Sequence, residues 1–297
     1  MIMSQASTQV DAHTPWADPL SAKDHKRVAR YIQQTAGIQL PASKRSLIEG
    51  RLRKRQRKLG YASLHEYIEM VLDSGAGAAE RLHLLDAITT NKTDFYREPD
   101  HFRFLREYIL GELAPLRAAG WERPLRIWSA GCSSGEEPYT IAMEMLEIRQ
   151  DNPGFHFQVH ATDISVSCLD TARRAIYPHA RVEPVPLAVR RRYLLRSRDK
   201  TRDLVRMAPE VCEKVRFATF NLLTDSYDFE PRFDMIFCRN VMIYFNHSDR
   251  AQIAQRFAHS LQPRGVLFIG HSETLTGQTT FFQQLIPAVY QKISDRR

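Results

Sequence analysis

The segment Gly131–Thr140 reads GCSSGEEPYT, between a short apolar run, LRIWSA, and a helix-like run, IAMEMLEI. Small residues at Ala130, Gly131, Ser133, Ser134 and Gly135 let a backbone approach a ligand closely. A loop of this kind between a strand and a helix usually holds a nucleotide. The two glycines form neither the dinucleotide fingerprint nor a P-loop, since no Lys-Ser or Lys-Thr follows. Glu136 and Glu137 suit the positive end of the helix dipole and repel a pyrophosphate. The ligand that fits this turn therefore carries a cation there and no phosphate.

Two further strand-like runs end on residues with chemistry. FHFQVHATD ends on Asp163, and FDMIFCRN ends on Arg239 and Asn240. A carboxylate at a strand end can accept hydrogen bonds from both hydroxyls of a ribose. It can equally cap the next helix. Combined with the glycine loop, ribose binding is the better reading. A ribose, a positive group and no phosphate together describe S-adenosylmethionine. The segment LQPRGVLFIG, a helix end, a Pro-x-Gly turn and an apolar strand, is also frequent in methyltransferases.

These residues must be positioned by alternating elements. From Trp121 onward, strand-like runs alternate with helical ones: EEPYTIAMEMLEIRQ, SVSCLDTARRAIY and SDRAQIAQRFAHSLQPRG are helical, and VLFIG is a strand. That order predicts a doubly wound parallel sheet. The apolar pieces in FFQQLIPAVYQKI fit a terminal hairpin. Residues 178–215 interrupt the rhythm with prolines, charges and two short apolar runs, RYLL and DLVRMA. They are expected to form a small antiparallel β insertion, either a hairpin or a three-stranded flap, since unstructured loops of that length are uncommon.

Residues 21–120 read as helices. The first opens at Ser21 and stops at Gly37; the second places Ile48, Leu52 and Leu59 on one side and stops at Gly60; the third carries Leu64, Tyr67, Ile68, Val71 and Leu72. The division expected is a disordered tail over 1–20, a helical domain over 21–95 and an α/β domain over 96–297. The chain has 297 residues, 43% hydrophobic, no apolar run of about eighteen or more, and no basic-then-apolar leader. Cys132, Cys168, Cys212 and Cys238 are scattered and the histidines are not clustered in sequence. No structural zinc, no disulfide framework and a cytoplasmic location are expected.

The net charge is +8, which fits nucleic acid, an acidic protein or a membrane surface as partner. Its densest stretch is KRSLIEGRLRKRQRK, where Lys44, Arg45, Arg51, Arg53, Lys54, Arg55, Arg57 and Lys58 face a single Glu49. A solvated helix face is the ordinary reading of such a run. A nearly single-signed one repels itself and favours an acidic partner.

Four motifs in order, ITTNKTDFYREPDHF, IWSAGCSSGEEPYTIAM, FCRNVMIYF and IGHSETL, resemble the CheR-type chemoreceptor glutamate methyltransferases of bacterial chemotaxis. The resemblance covers residue 21 to the C-terminus; Ser134 stands where the family often has Thr. It implies a Rossmann-like class I methyltransferase domain with a small antiparallel β insertion, preceded by an all-α domain. It also implies S-adenosylmethionine as cofactor, S-adenosylhomocysteine as product and no metal. Asn91, Thr93 and Arg97 would reach over the cofactor. Glu137 would meet its ammonium and Asp163 its ribose. Asn221 and Leu222 would flank the adenine, and Cys238, Arg239 and Asn240 would lie at their strand end beside the cofactor. Arg97, Arg239 and Tyr244 would orient the substrate carboxylate.

The implied partner is the cytoplasmic domain of a methyl-accepting receptor. Lys44, Arg45, Arg51, Arg55 and Lys58 are the docking candidates, and the β insertion is a possible clamp for a receptor tether peptide. A monomer, with no membrane insertion and no nucleic acid, is expected. A base-modifying methyltransferase would show an Asp/Asn-Pro-Pro-aromatic turn where this chain has CRNVMIYF. A non-catalytic relative would have lost Arg97, Glu137 or Asp163, and all three are present.

Overall fold

The computed structural model describes residues 18–116, 118–199, 201–275 and 280–293. The chain divides into two compact units: one runs to Gln33 and resumes over Leu40–Ile88, and the other takes Gln34–Gln39 and everything from Thr89 onward.

The first unit is helical. It holds most of α1 (Ala22–Ala36), with α2 (Arg45–Leu59), α3 (Leu64–Asp73) and α4 (Ala78–Ile88). Ser21 Oγ accepts the Asp24 N–H at 3.0 Å and Ser63 Oγ accepts the Glu66 N–H at 3.0 Å, so hydroxyl caps start α1 and α3. Val28, Ile32, Ile48, Leu52, Tyr67, Val71 and Leu84 are buried. Two expectations need correction. Leu59 is 41% exposed, because the buried stripe of α2 runs Ile48, Leu52, Gln56 and the helix ends before its next turn. The tail expected over 1–20 stops short of its last residues: Leu20 is buried, its N–H donates to Glu49 at 3.0 Å, and the Asp18 carbonyl accepts from Arg53. The rest of that tail lies outside the described residues.

The basic face of α2 is also less single-signed than its sequence. Arg55 donates through Nε and Nη2 to the two oxygens of Glu80, each at 2.6 Å, and Tyr67 donates to the same carboxylate at 3.0 Å. Arg53 pairs with Glu49 at 2.6 Å, and Arg51 donates to the Ile88 carbonyl at 2.6 Å. Arg51 and Arg55, two of the docking candidates, thus hold α2 against α4. Arg45 and Lys58 are exposed.

The second unit is built on a sheet. Its elements are α5 (Asp100–Tyr108), β1 (Leu125–Ala130), α6 (Glu136–Asp151), β2 (Phe157–Asp163), α7 (Val166–Arg174), β3 (Ile176–Pro178), α8 (Leu187–Tyr193), β4 (Leu194–Arg196), β5 (Leu204–Met207), α9 (Pro209–Cys212), β6 (Val215–Thr219), β7 (Phe233–Cys238), α10 (His247–Ser260), β8 (Leu261–Ile269), β9 (Phe282–Ile286) and β10 (Val289–Lys292). The main sheet has the order β6-β2-β1-β7-β8-β10-β9. Its first five strands are parallel, and β10 runs antiparallel to both β8 and β9. The strand order reverses beside β1, which places a ligand crevice beyond the carboxyl ends of β1, β2 and β7.

Successive residues of β1 show how both faces are covered. Ile127 belongs to the same apolar cluster as Phe102, Tyr139, Met143 and Leu169, from α5, α6 and α7. Trp128 packs with Ile253 and Phe257 on the side of α10, and its indole N–H donates to Thr162 Oγ1 at 2.9 Å. Burial on both faces explains why the central strands are apolar throughout rather than alternating. The expected insertion is a three-stranded antiparallel sheet of order β3-β5-β4, carrying α8. It starts at Ile176, where the sequence suggested the last turn of a helix. Strand β6, hidden in sequence at the end of the charged insertion, is one of the two edge strands of the main sheet.

The buried charge on α4 gives a test of the helical unit. Burial alone would raise the Glu80 carboxyl, but the bonds from Arg55 and Tyr67 hold it below its ordinary value. A carboxylate held low in the folded state adds stability above about pH 4.3, lost as pH falls through the folded value. Glu80→Gln is expected to lower unfolding free energy by about 1–3 kcal/mol at pH 7. In denaturant titrations the gap from wild type should narrow below about pH 4; a gap unchanged at pH 3 would contradict the pairing.

Candidate active site

The glycine loop is shaped by its neighbours. Gly131 has φ +81° and Gly135 φ +97°, conformations that side chains resist. A Cβ on Gly131 would fall 2.5 Å from Val241, so the loop lies close against the segment after β7. The Gly131 and Cys132 N–H groups donate to the Thr162 carbonyl at 2.8 and 2.9 Å. Asp163 fixes the loop from the side: one oxygen accepts the Ser133 N–H at 2.7 Å and the other accepts the Ser165 N–H at 2.8 Å. The capping of α7 falls to Ser165, whose hydroxyl accepts the Cys168 N–H at 3.2 Å.

The two glutamates have different tasks. Glu136 is 1% exposed and pairs with Arg181 at 2.6 Å. The same arginine donates to the Thr93 carbonyl at 2.7 Å and to Asp94 at 3.1 Å, tying the β insertion and the 90s segment to the start of α6. Glu137 accepts Ser129 Oγ at 2.7 Å and pairs with Arg239 at 3.0 Å.

Arg239 is the centre of the charge arrangement. Its side chain is 2% exposed, and it reaches Glu137 and Glu98, each at 3.0 Å, and the Arg97 carbonyl. Its guanidinium carbon also lies over the face of Phe102, 5.5 Å from the ring centre. Burial alone would raise the Glu98 carboxyl, but the Arg239 charge and hydrogen bond hold it below its ordinary value. Two carboxylates share one guanidinium, so the group keeps one negative charge that a ligand cation can balance.

The sequence-predicted residues fall into three groups. Glu137 and the Arg97 carbonyl meet at Arg239, and Asn240 joins them through Glu98, whose carboxylate faces Asn240 Nδ2 at 3.5 Å. Asn91 and Asp163 meet at Ser133, whose hydroxyl donates to the Asn91 carbonyl at 2.9 Å; Thr93 joins through Arg181. Asn221, Leu222 and Tyr244 lie on the segments after β6 and β7. Asn221 donates to the Thr35 carbonyl at 2.7 Å and accepts the Leu223 N–H at 3.0 Å, and the Tyr244 carbonyl accepts the Gln39 N–H at 2.9 Å. These bonds explain why residues 34–39 belong to this unit.

Arg239 differs from its expected placement. It was expected to face a reacting carboxylate; its guanidinium is instead enclosed by the protein's own acceptors. Arg97 is partly exposed and donates to the Lys92 carbonyl at 3.1 Å. Cys238 is fully buried at the end of β7, and burial pushes its thiol well above the ordinary value. Two glutamates were missed, although both sit inside motifs quoted for the family. Glu98 follows Arg97 directly. Glu273, in GHSETL, accepts the N–H groups of Asn240, Ile243 and Gly270 at 2.8, 3.2 and 2.6 Å and so clamps the segment leading to Tyr244. A carboxylate adjacent to a motif arginine was the signal available for Glu98.

The donor set fits S-adenosylmethionine. The loop approaches closely, it presents carboxylate rather than cation at the turn, and Asn240 Oδ1 and Arg239 Nε are buried beside it without a hydrogen bond among the described residues. Residues 91–290 match the family described as CheR methyltransferase, SAM binding domain, and residues 23–89 match the CheR methyltransferase all-alpha domain. The chain belongs to the CheR methyltransferase family. It is 39% identical over 267 residues to the chemotaxis protein methyltransferase of Borreliella burgdorferi, covering 90% of this chain and 93% of that one. It is 37% identical over 271 residues to the chemotaxis protein methyltransferase of Escherichia coli, covering 88% and 91%. As a member of this family it is an S-adenosylmethionine-dependent methyltransferase. No described helix is long and apolar enough to cross a membrane.

Replacing the shared cation tests the arrangement. Arg239→Met leaves Glu98 and Glu137 without their common partner, and the expected loss is about 3–5 kcal/mol in urea unfolding. Adding Glu98→Gln to that variant should restore part of it. A loss under about 1 kcal/mol would show that the pairs contribute little.

Proposed function

We propose that the chain methylates the γ-carboxylates of glutamates in the cytoplasmic helices of bacterial chemoreceptors. The observation that carries this reading is that the family match takes in the helical unit as well as the methyltransferase unit. S-adenosylmethionine, when bound, supplies a methyl group on a positively charged sulfur. The substrate glutamate is already ionised at pH 7, its ordinary pKa being about 4.3, so no general base is required. The protein's work is placement, alignment and exclusion of water.

Each residue then has a task suited to its surroundings. Glu137 receives the amino-acid ammonium, held in position by Ser129 and Arg239. Asp163, held by two backbone N–H groups, receives the ribose. Asn91 and Thr93 cover the cofactor from the segment pinned by Ser133 and Arg181. Leu222 packs on the adenine with Cys238 and Asn240 nearby. Asn221 keeps donor and acceptor capacity for the adenine edge beyond its two backbone bonds. Arg97 and Tyr244 orient the incoming carboxylate without neutralising it. Arg239 acts at one remove, as the residue that positions Glu98 and Glu137.

On the helical unit, Arg45 and Lys58 are the better candidates for meeting an acidic receptor helix, with Lys44 beside them. Arg51 and Arg55 contribute to the same field while serving α2. The outer edge of the β3-β5-β4 sheet is a surface to which a receptor tether peptide could add a strand.

Two measurements test this. Receptor-containing membranes incubated with methyl-labelled S-adenosylmethionine and the protein should yield base-labile methyl esters on the receptors. Label found only in added RNA or DNA would overturn the reading. Tyr244→Phe should slow single-turnover transfer by about 100-fold while leaving S-adenosylhomocysteine affinity unchanged; an unchanged rate would remove Tyr244 from the proposal.

A further inference from the structure

Beside the Arg239 pairs lie two histidines, His101 and His271, to which the methyl transfer assigns no task, and they share Glu98 with Arg239. Glu98 precedes α5, His101 sits in the first turn of α5, and His271 follows β8. One donor atom from each lies within 4.8 Å of the other two. The His101 and His271 rings are 4.8 Å apart between centres and nearly perpendicular, at 81°. His101 Nδ1 is 3.5 Å from Glu98 Oε2.

His101 makes this more than a chance gathering. Its side chain is fully buried, yet neither ring nitrogen makes a hydrogen bond among the described residues. A buried polar atom left without a partner costs about 1–3 kcal/mol. At 3.5 Å the contact with Glu98 Oε2 gives His101 Nδ1 no hydrogen bond, whereas a cation between the two supplies the ring nitrogen with a partner. His271 is exposed and Glu98 half-buried, so such a cation can be reached from solvent.

We propose that Glu98, His101 and His271 bind a divalent transition-metal ion of the zinc class. Two imidazoles and one carboxylate suit Zn²⁺, and are poorly suited to Mg²⁺ or Ca²⁺, which take oxygen ligands. Zinc bonds of about 2.0–2.2 Å require the donors to draw closer together. His101 is fixed by burial, so Glu98 and the exposed His271 are the groups that move. The spacing of the ligands, from both ends of the unit, is why the sequence showed no cluster.

The site has a consequence for the activity, and that part rests on the proposed function. Glu98 is one of the two carboxylates that hold Arg239, and Arg239 positions Glu137. A metal ion that takes Glu98 competes with Arg239 for it and so disturbs the ammonium site. Coupling of this kind is reciprocal: zinc weakens S-adenosylhomocysteine binding, and the product weakens zinc binding by the same factor.

The test uses the full chain without a histidine tag. Co²⁺, as a spectroscopic probe for zinc, should bind with one ion per chain and give visible absorption with no thiolate charge-transfer band. Zn²⁺ should displace it and Mg²⁺ should not. His271→Ala should weaken binding by more than about tenfold, while His83→Ala, on the helical unit, should leave it unchanged. Absence of stoichiometric binding, a thiolate band, or equal binding by the His271 variant would each overturn the proposal. Zinc should slow methyl transfer in wild type but not in His271→Ala. If cobalt binding depends on His271 and wild type transfers no methyl group without zinc, the metal site stands and the functional reading fails.

Discussion

Two half-buried carboxylates, Glu98 and Glu137, share one buried guanidinium, that of Arg239. Taking three charges out of water is costly, and the arrangement is tolerable only while each has its partner. That requirement fixes the surrounding backbone. Arg239 follows β7, Glu137 opens α6 and Glu98 leads into α5, so one side chain binds three segments that come together only when the sheet has formed. The Arg97 carbonyl joins the same guanidinium, which sets the backbone that carries the Arg97 side chain. The surplus of one negative charge then matches a ligand with a cationic head.

The same logic separates the two glutamates of the loop. Glu136 and Glu137 are adjacent in sequence and both lie in the first turn of α6, where the helix dipole favours them equally. Their partners differ. Glu136 is closed off by Arg181 and serves to join the β insertion, the 90s segment and the loop. Glu137 keeps its place through Ser129 and Arg239. A dipole argument alone could not tell them apart, and the distinction arises from residues 45 and 102 positions away in the chain.

Legibility of the sequence followed the range of the interactions. The alternation of apolar strands and helices was readable because each element writes its own period. Strand β6 was not, since Val215–Thr219 is short and follows a charged stretch. Leu59 looked like a core residue by spacing, but helical periodicity does not say where the neighbouring helices stop. The basic run of α2 looked unopposed because its counter-charge, Glu80, lies on another helix. The enclosure of Arg239 was not legible, because Glu98 and Glu137 approach it from distant positions.

The chemistry asks little of acid–base catalysis and much of placement, since an ionised carboxylate is already the nucleophile. The account therefore stands on the claim that Glu137 is the counter-charge for the cofactor's amino-acid head. Calorimetric titration of S-adenosylhomocysteine into wild type and Glu137→Gln measures this directly. The account predicts binding by wild type and a loss of about 10- to 100-fold in the variant, the equivalent of about 1.4–2.7 kcal/mol. Equal affinity in the two proteins would contradict it.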